Sequence, residues 1–287
     1  MITIALPNKG RLSEKALGLF ERAGLRAEFT SERALVAALG NDFRAIFVRA
    51  ADVPEFVADG AADAGVTGGD LIAESGREVE TLLDLGFGRC RLAVAVPEGC
   101  EIQDLAGVPA GSRVATTFPR IAASFFERAG IPVELAHVSG AAEIAPHLGV
   151  ADIIVDLVST GSTLRVNGLR EVATVLESTA RLIASRDAWE DADRRTRLEE
   201  LVAALESVLR AERKRYLMAN VPRDRLDEVK RVLPGINGPT IIEVSDGGRW
   251  VAAHAVVEED RIYQTIAGLK RLGAEGILVT RIERLMP

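Results

Sequence analysis

The sequence contains few cysteines, few histidines and no long hydrophobic run, and each shortage excludes a class of protein. Its two cysteines, Cys90 and Cys100, form no CxxC pair, so they indicate neither a disulfide framework nor a zinc knuckle. No apolar run approaches the ~18 residues that a membrane-spanning helix requires. The three histidines are scattered along the chain and are expected to be structural: His137, His147 and His254.

An excess of basic residues is also absent. The chain has 35 lysines and arginines against 42 acidic residues, a net charge of −7, which argues against nucleic acid or an acidic membrane as a partner. A small anionic substrate is still compatible, because a local basic pocket can occur in an acidic protein. The amino-terminal MITIALPNKGRL is typical of a strand and a turn rather than of a signal peptide, so we expect a cytoplasmic protein.

At 287 residues the chain is too long for one ordinary core. Its first half alternates short apolar strands with amphipathic helices, which indicates an α/β sheet with parallel pairing. A second α/β cycle follows RCRLAVAVPEG, with helices predicted over Pro119–Ala129 and Ala141–Leu148. We therefore predict two α/β lobes with a ligand cleft between them, lobe I from residues 1–91 and 181–212 and lobe II from residues 92–180.

Residues 213–287 follow a different order. Strand RYLMANV, helix Arg223–Leu233 and strand TIIEVS lead to a tight DGG turn at Asp246–Gly248. Strand RWVAAHAVV, helix Glu259–Leu272 and strand EGILVTRI complete the chain. The order βαββαβ predicts a ferredoxin-like domain.

Residues 151–168 read ADIIVDLVSTGSTLRVNG, an apolar strand that runs into a series of hydroxyl side chains. Asp152 and Asp156 are four residues apart, so in a strand they point to the same side. Acids at the carboxyl end of a parallel strand lie where α/β sheets bind ligands. We name residues 159–163 the hydroxyl loop; its four hydroxyls belong to Ser159, Thr160, Ser162 and Thr163.

Gly161, inside the hydroxyl loop, lets the backbone turn tightly and approach a ligand. Backbone N–H groups at the start of the following helix attract an anion. Acids for sugar hydroxyls beside amides for a phosphate point to a phosphorylated sugar. The residue types alone leave an alternative, a Ser/Thr turn that only caps a helix. No P-loop, GxGxxG, GxSxG, HExxH or calcium-loop motif occurs.

A longer pattern is more specific. From Glu143 to Leu164 the sequence fits E-x5-G-x-A-x2-I-x-D-L-x2-T-G-x-T-L, which resembles the signature of ATP phosphoribosyltransferase, the first enzyme of histidine biosynthesis. The resemblance extends to ALPNKGRL, GVTGGDLIAE and LGFGRCRLAVAVP. GPTI and GAEGILV resemble the long form of that enzyme, which carries a C-terminal regulatory domain.

The resemblance implies a glycosyltransferase that moves phosphoribosyl from phosphoribosyl pyrophosphate to N1 of the ATP adenine and releases pyrophosphate. It implies a two-lobed core like that of periplasmic binding proteins and an ACT-like regulatory domain over residues 213–287. Inhibition by histidine and a homo-oligomer, a dimer or a hexamer built from dimers, are further implications. Mg²⁺ on the pyrophosphate is the implied cofactor, which needs no all-protein cage, and the sequence identifies no residue that binds it.

The resemblance places the 5′-phosphate on residues 160–163 and the ribose hydroxyls on Asp156. Lys9 and Arg11 are candidates for the phosphates of pyrophosphate or ATP, or they form an ordinary exposed turn. Arg49 contacts a phosphate or a surface acid. The expected catalytic residues are Asp156, Lys9 and Arg49. The expected substrate contacts are Glu143, Asp152, Ser159, Thr160, Gly161, Ser162, Thr163, Leu164, Arg11, Gly68, Asp70 and Phe118.

Two further substrate contacts, and both candidates for the histidine site, carry open alternatives. Asp70 is an N-cap alone or an N-cap that also orients substrate. Phe118 fits the aromatic residue that the family has before a proline, but Arg120 replaces the usual asparagine after it, so the adenine contacts stay open. Asn220 and Thr240 are the candidates for binding histidine, or they merely close turns.

Two rival interpretations come from other classes of protein. A non-enzymatic two-lobed binding protein explains the lobes but gives no reason for the hydroxyl loop. The other is a ferredoxin-like interaction module fused to an inert α/β scaffold.

Overall fold

A computed structural model describes residues 1–31, 34–244 and 247–286. The chain divides into two compact units, Met1–Val202 and Ala203–Pro287. No helix among the described residues is long and apolar enough to cross a membrane.

The described residues of the first unit form twelve strands in two sheets. The strands are β1 (Ile2–Pro7), β2 (Ala27–Phe29), β3 (Val36–Leu39), β4 (Phe43–Val48), β5 (Ala64–Gly68), β6 (Glu80–Asp84), β7 (Cys90–Pro97), β8 (Ser112–Thr116), β9 (Val133–His137), β10 (Ile153–Val158), β11 (Leu169–Ser178) and β12 (Ala180–Ala184). The helices are α1 (Gly10–Arg22), α2 (Val53–Ala58), α3 (Gly69–Ser75), α4 (Pro119–Ala129), α5 (Ser162–Val166), α6 (Arg186–Glu190) and α7 (Ala192–Glu212), the last of which runs on into the second unit.

The first sheet has the strand order β2-β3-β4-β1-β5-β12-β6, and β1 pairs in parallel with both β4 and β5. Every residue of β1 is buried, because helices cover both faces of a parallel strand, and its sequence is accordingly apolar except for Thr3. Val53 and Val57 of α2 pack on Ala5 in this core. The carboxyl ends of β1, β4 and β5 therefore open at one edge of the sheet.

The second sheet has the order β11-β7-β10-β8-β9. β8 is parallel to β9 and β10, while β7 is antiparallel to β10 and β11. Helix α4 covers one face with Phe126, and Leu164 of α5 packs on the other. The predicted helix Ala141–Leu148 is wrong: only a 3₁₀ turn, Ala142–Ile144, forms there, because Pro146 cannot donate the backbone hydrogen bond that a helix interior needs.

Two crossing segments join the sheets side by side. The chain leaves the first sheet between β6 and β7 and returns between β11 and β12. The Ala180 N–H donates to the Phe87 carbonyl at 2.9 Å, and the Leu85 N–H donates to the Ala180 carbonyl at 2.9 Å. The predicted two-lobed α/β core is confirmed, while the exact lobe boundaries, near residues 92 and 180, stay predictions.

The second unit contains β13 (Lys214–Pro222), α8 (Leu226–Val232), β14 (Thr240–Glu243), β15 (Trp250–Glu258), α9 (Ile262–Arg271) and β16 (Glu275–Arg281). Its sheet has the order β14-β15-β13-β16 with all pairs antiparallel. Both helices pack on one face, around Leu217, Val229 and Leu269. The predicted βαββαβ order is confirmed; Asp246 of the predicted DGG turn lies outside the described residues.

Candidate active site

The hydroxyl loop follows the carboxyl end of β10, as predicted. Gly161 has φ +74° and is the N-cap residue of α5, so a larger residue there would be strained. The turn leaves all four hydroxyl side chains exposed. The Thr160 and Ser162 hydroxyl oxygens lie 2.9 Å apart, within hydrogen-bond distance. The loop thus presents a compact group of hydroxyls to solvent.

Asp156 stands half-buried at the base of this loop. Burial raises the pKa of its carboxyl group, the hydrogen bond that it accepts from the Leu157 N–H at 2.8 Å opposes that shift, and the charge of Glu143 raises the pKa further. Glu143, thirteen residues away in sequence, is therefore close enough for its charge to act on Asp156, and the 3₁₀ turn that carries it packs on β10. Two neighbouring carboxylates can accept hydrogen bonds from vicinal hydroxyls of a sugar.

Asp152 does not join this group. It precedes β10, at the amino end of the strand, about 13 Å from Asp156 at the usual rise per residue. Its carboxylate accepts a hydrogen bond from the Arg113 N–H at 2.8 Å, and its own N–H donates to the Arg113 carbonyl. The expectation of an acid at the substrate end of the strand is therefore wrong for Asp152, which instead anchors β10 to β8.

Two apolar candidates are also buried away from solvent. Leu164 is 5% exposed and packs in the core between α5 and the second sheet, so only its backbone can face the loop. Phe118 is 5% exposed and packs in the core with Phe126. A ring in that position fills the core, and a substrate contact of the Phe118 side chain stays a prediction.

On the first sheet, Lys9 and Arg49 follow neighbouring strand ends. The Asn8 N–H donates to the Val48 carbonyl at 2.8 Å, which holds the ends of β1 and β4 together. Lys9, Arg11 and Arg49 are exposed. In the described part of the chain, none of the three makes an ion pair, so the alternative of a surface ion pair for Arg49 is not observed there.

Asp70 has a different role from the predicted one. Gly68 is the N-cap residue of α3, and Asp70 is its second helical residue, 5% exposed. The Ser178 hydroxyl donates to the Asp70 carboxylate at 2.6 Å and accepts from the Asp70 N–H at 3.0 Å. A Cβ on Gly68 would lie 2.3 Å from that carboxylate, so only glycine fits. The N-cap prediction is wrong; Asp70 ties α3 to the end of β11.

Cys90, beside the crossing segments, interacts with both Asp70 and Ser178. Burial raises the pKa of the Cys90 thiol, the charge of Asp70 raises it further, and a hydrogen bond with Ser178 opposes both. Cys90 therefore stays a protonated thiol at neutral pH. Asp70, Ser178 and Cys90 thus form a structural junction between the sheets.

Sequence reasoning missed the cations near the crossing segments. A cavity of about 420 Å³ there is lined by Ser159 of the hydroxyl loop and by three arginines. Arg91 pairs with Glu171, and Arg181 lies 3.1 Å from Asp84. Among the described residues Arg89 makes no such close ion pair, although its charge helps to lower the pKa of Asp84. The repeated arginines in GRCR were the signal that sequence reasoning could have used.

Side chains that could bind a metal do not cluster in the part of the chain that the structure describes. No group of three or more His, Cys, Asp and Glu side chains there has the arrangement of a metal site. Asp156, Glu143 and Glu171 are carboxylates that the structure places near the hydroxyl loop; the Glu171 carboxylate, which pairs with Arg91, lies beside Gly161.

Comparison with known protein families matches residues 49–207 to ATP phosphoribosyltransferase and residues 211–284 to the HisG C-terminal domain. The chain is 62% identical to an ATP phosphoribosyltransferase of Gemmatimonas aurantiaca, and 50% and 44% identical to those of Methanopyrus kandleri and Methanocaldococcus jannaschii. Each match covers 100% of both chains.

Among solved structures, the chain is similar to one described as the ATP phosphoribosyl transferase (HisG:HisZ) complex from Thermotoga maritima. The TM-score is 0.65 at 27% sequence identity, and the match covers 73% of this chain and 99% of that one.

Proposed function

The chain belongs to the ATP phosphoribosyltransferase family, and on that premise we propose that the hydroxyl loop and the facing edge of the first sheet form its active site. The enzyme transfers phosphoribosyl from phosphoribosyl pyrophosphate to N1 of ATP and releases pyrophosphate, the first step of histidine biosynthesis. One observation carries the assignment of the site: four exposed hydroxyls follow the strand whose carboxyl end carries the half-buried Asp156.

The loop holds the 5′-phosphate of phosphoribosyl pyrophosphate. Ser159, Thr160, Ser162 and Thr163 donate hydroxyl hydrogen bonds to the phosphate oxygens, and bonds to a charged acceptor are stronger than neutral ones. Gly161 keeps the backbone close to the ligand. Asp156, aided by Glu143, accepts hydrogen bonds from the ribose hydroxyls and fixes the sugar for attack at its anomeric carbon.

The exposed cations complete the site. As pyrophosphate leaves, positive charge develops on the ribose ring and negative charge on the leaving group. Lys9, Arg11 and Arg49 stand at one edge of the first sheet without acidic partners in the described chain, so they are free to bind pyrophosphate or the ATP phosphates. Arg89 adds a fourth cation in the cavity beside Ser159. Asp70 acts through α3, whose position it fixes together with Gly68.

Mg²⁺ fits this set of donors as a substrate-borne ion. Its usual ligands are phosphate oxygens, waters and one or two carboxylates, and Asp156, Glu143 and Glu171 are carboxylates near the loop. When bound, Mg²⁺ neutralises the charge that pyrophosphate carries away.

Histidine binding belongs to the second unit in this proposal. Asn220 faces Ala252 on β15, and Thr240 faces His254 two residues further along the same strand. Both therefore lie on one face of the sheet, about 12 Å apart by strand geometry, opposite the face that the helices cover. That separation leaves room for an amino acid between an amide and a hydroxyl. Asn220 lies inside β13, which counts against the alternative that it only closes a turn, whereas Thr240 is the first residue of β14.

The assembly of a dimer or a hexamer and the cytoplasmic location are proposed on the family resemblance. Light scattering coupled to size exclusion would give the mass of the assembly, with and without histidine. A single-chain mass in both conditions would contradict the oligomer.

Stoichiometric turnover tests the proposed function. With ATP, phosphoribosyl pyrophosphate and Mg²⁺, pyrophosphate and phosphoribosyl-ATP should appear in equal amounts, and omission of ATP should stop both. Binding of either ligand without any product would favour the non-enzymatic binding protein instead.

A further inference from the structure

Helix α4 begins without a cap of its own. Its N-cap residue, Phe118, provides no side-chain oxygen, and Pro119 has no N–H. The next two N–H groups, those of Arg120 and Ile121, donate to the two carboxylate oxygens of Glu74 at 3.0 Å each. A carboxylate at this position satisfies donors that the helix leaves open and interacts favourably with the positive end of the helix dipole.

The cap comes from the other lobe. Glu74 lies in the last turn of α3, which follows β5 of the first sheet, whereas α4 follows β8 of the second. In return, the Arg120 guanidinium packs over Gly76, the residue that ends α3. A Cβ on Gly76 would lie 2.2 Å from the Arg120 Cζ atom. The acid of one helix therefore caps the start of the other, and the cation of the second covers the end of the first, an arrangement we name the α3–α4 clasp.

The clasp connects the two halves of the proposed active site. Helix α3 begins at the substrate edge of the first sheet, with Gly68 and Asp70. Helix α4 follows β8, the parallel neighbour of β10, which leads into the hydroxyl loop. Leu71 of α3 also packs against the core of the second sheet. Besides the crossing segments and the Asp70–Ser178 hydrogen bonds, the clasp adds a further attachment between the lobes.

We propose that Glu74 is a positioning residue that holds the two lobes at the spacing that both substrates require. Without its carboxylate, only a fraction of molecules would have the competent spacing. The apparent affinity for each substrate would fall by that fraction, because binding must then also restore the spacing. Saturating substrates would restore it, so kcat would change little while both KM values rise. The kinetic part of this inference rests on the proposed function.

The test compares Glu74→Ala and Glu74→Gln with the control Glu78→Gln. Glu78 is an exposed acid of the first lobe, and its ion-pair partner, Arg186 at 3.1 Å, belongs to the same lobe. For Glu74→Ala we expect KM for ATP and for phosphoribosyl pyrophosphate to rise about ten-fold with kcat within about two-fold. Glu74→Gln keeps one acceptor oxygen and should lie between wild type and Glu74→Ala, whereas Glu78→Gln should match wild type.

Amide hydrogen exchange gives a readout that does not depend on catalysis. The amides of Arg120 and Ile121 should lose protection in Glu74→Ala, because alanine offers them no acceptor oxygen. Lost protection with both KM values unchanged would show a purely structural cap, and a fall in kcat with KM unchanged would show a role in the chemical step; either result overturns the proposal. If wild type made no product, the proposed function would fail, and exchange with and without each substrate would still test the clasp.

Discussion

Replacement of Asp156 by asparagine removes the charge at the base of the hydroxyl loop and keeps the shape of the side chain. The asparagine oxygen can still accept the Leu157 N–H, which donates to Asp156 at 2.8 Å. What is lost is the charged acceptor for the ribose hydroxyls. A hydrogen bond to a charged group contributes about 1.5–3 kcal/mol, so kcat/KM for phosphoribosyl pyrophosphate should fall about 10- to 150-fold at about 1.4 kcal/mol per factor of ten.

The same substitution has a predictable pH dependence. Burial raises the Asp156 pKa above the ordinary 3.8, so the folded protein holds this proton at pH values where the unfolded chain has lost it. Between the unfolded and folded pKa values, the folded state binds more protons, and stability falls as pH rises. At neutral pH Asp156 therefore costs stability, and Asp156→Asn should unfold at an equal or higher urea concentration than wild type, with the difference shrinking as pH falls through the folded pKa.

Steady-state kinetics and urea unfolding over pH 4–8 measure both effects. Wild-type kcat/KM should fall on the acid side at a pH above 3.8, because a protonated Asp156 donates where it should accept. A variant with unchanged kcat/KM and unchanged affinity would refute the placement of the active site. A variant that lost activity together with stability would show that Asp156 supports the fold instead.

Neighbouring contacts lead to three more predictions. Gly161→Ala forces alanine to φ +74° and should cost about 1 kcal/mol of loop conformation, seen as a roughly five-fold higher KM for phosphoribosyl pyrophosphate; an unchanged KM would count against the loop. Ser178→Ala leaves the buried Asp70 carboxylate without its hydroxyl donor and should lower the free energy of unfolding by about 1–3 kcal/mol. Ser75→Ala is the control, and equal stability of the two variants would contradict the structural junction of Asp70, Ser178 and Cys90. Histidine should inhibit non-competitively with phosphoribosyl pyrophosphate. Asn220→Ala should weaken that inhibition, at most by the coupling free energy between the two sites, about 1–3 kcal/mol. No inhibition at millimolar histidine would contradict the regulatory role.

Much of the architecture could be predicted because its signals are local. Strand and helix periodicity indicated the α/β lobes and the βαββαβ order of the second unit. Gly161 marked the hydroxyl loop, because a glycine among hydroxyl residues directly after a buried strand indicates a tight turn.

The errors arose where contacts distant in sequence decide the structure. Asp70 follows a strand as an N-cap would, but its carboxylate is bound by Ser178, 108 residues later in the chain. Asp152 lies four residues before Asp156, a spacing that points both acids to the same side of a strand. β10 starts one residue after Asp152, however, which places Asp152 at the end of the strand opposite the hydroxyl loop. Nothing local to Glu74 indicates that it caps a helix 46 residues away.

Direct binding of phosphoribosyl pyrophosphate to a loop variant tests the central claim, that the hydroxyl loop holds the 5′-phosphate. Calorimetry should compare wild type, Thr163→Val and the control Thr196→Val, whose exposed threonine lies in α7 and donates to the Ala192 carbonyl. The loss of one hydroxyl bond to a charged phosphate predicts a Kd for phosphoribosyl pyrophosphate about ten-fold or more higher in Thr163→Val, a smaller change for ATP, and none in Thr196→Val. Equal affinity of Thr163→Val and wild type for phosphoribosyl pyrophosphate would contradict the claim.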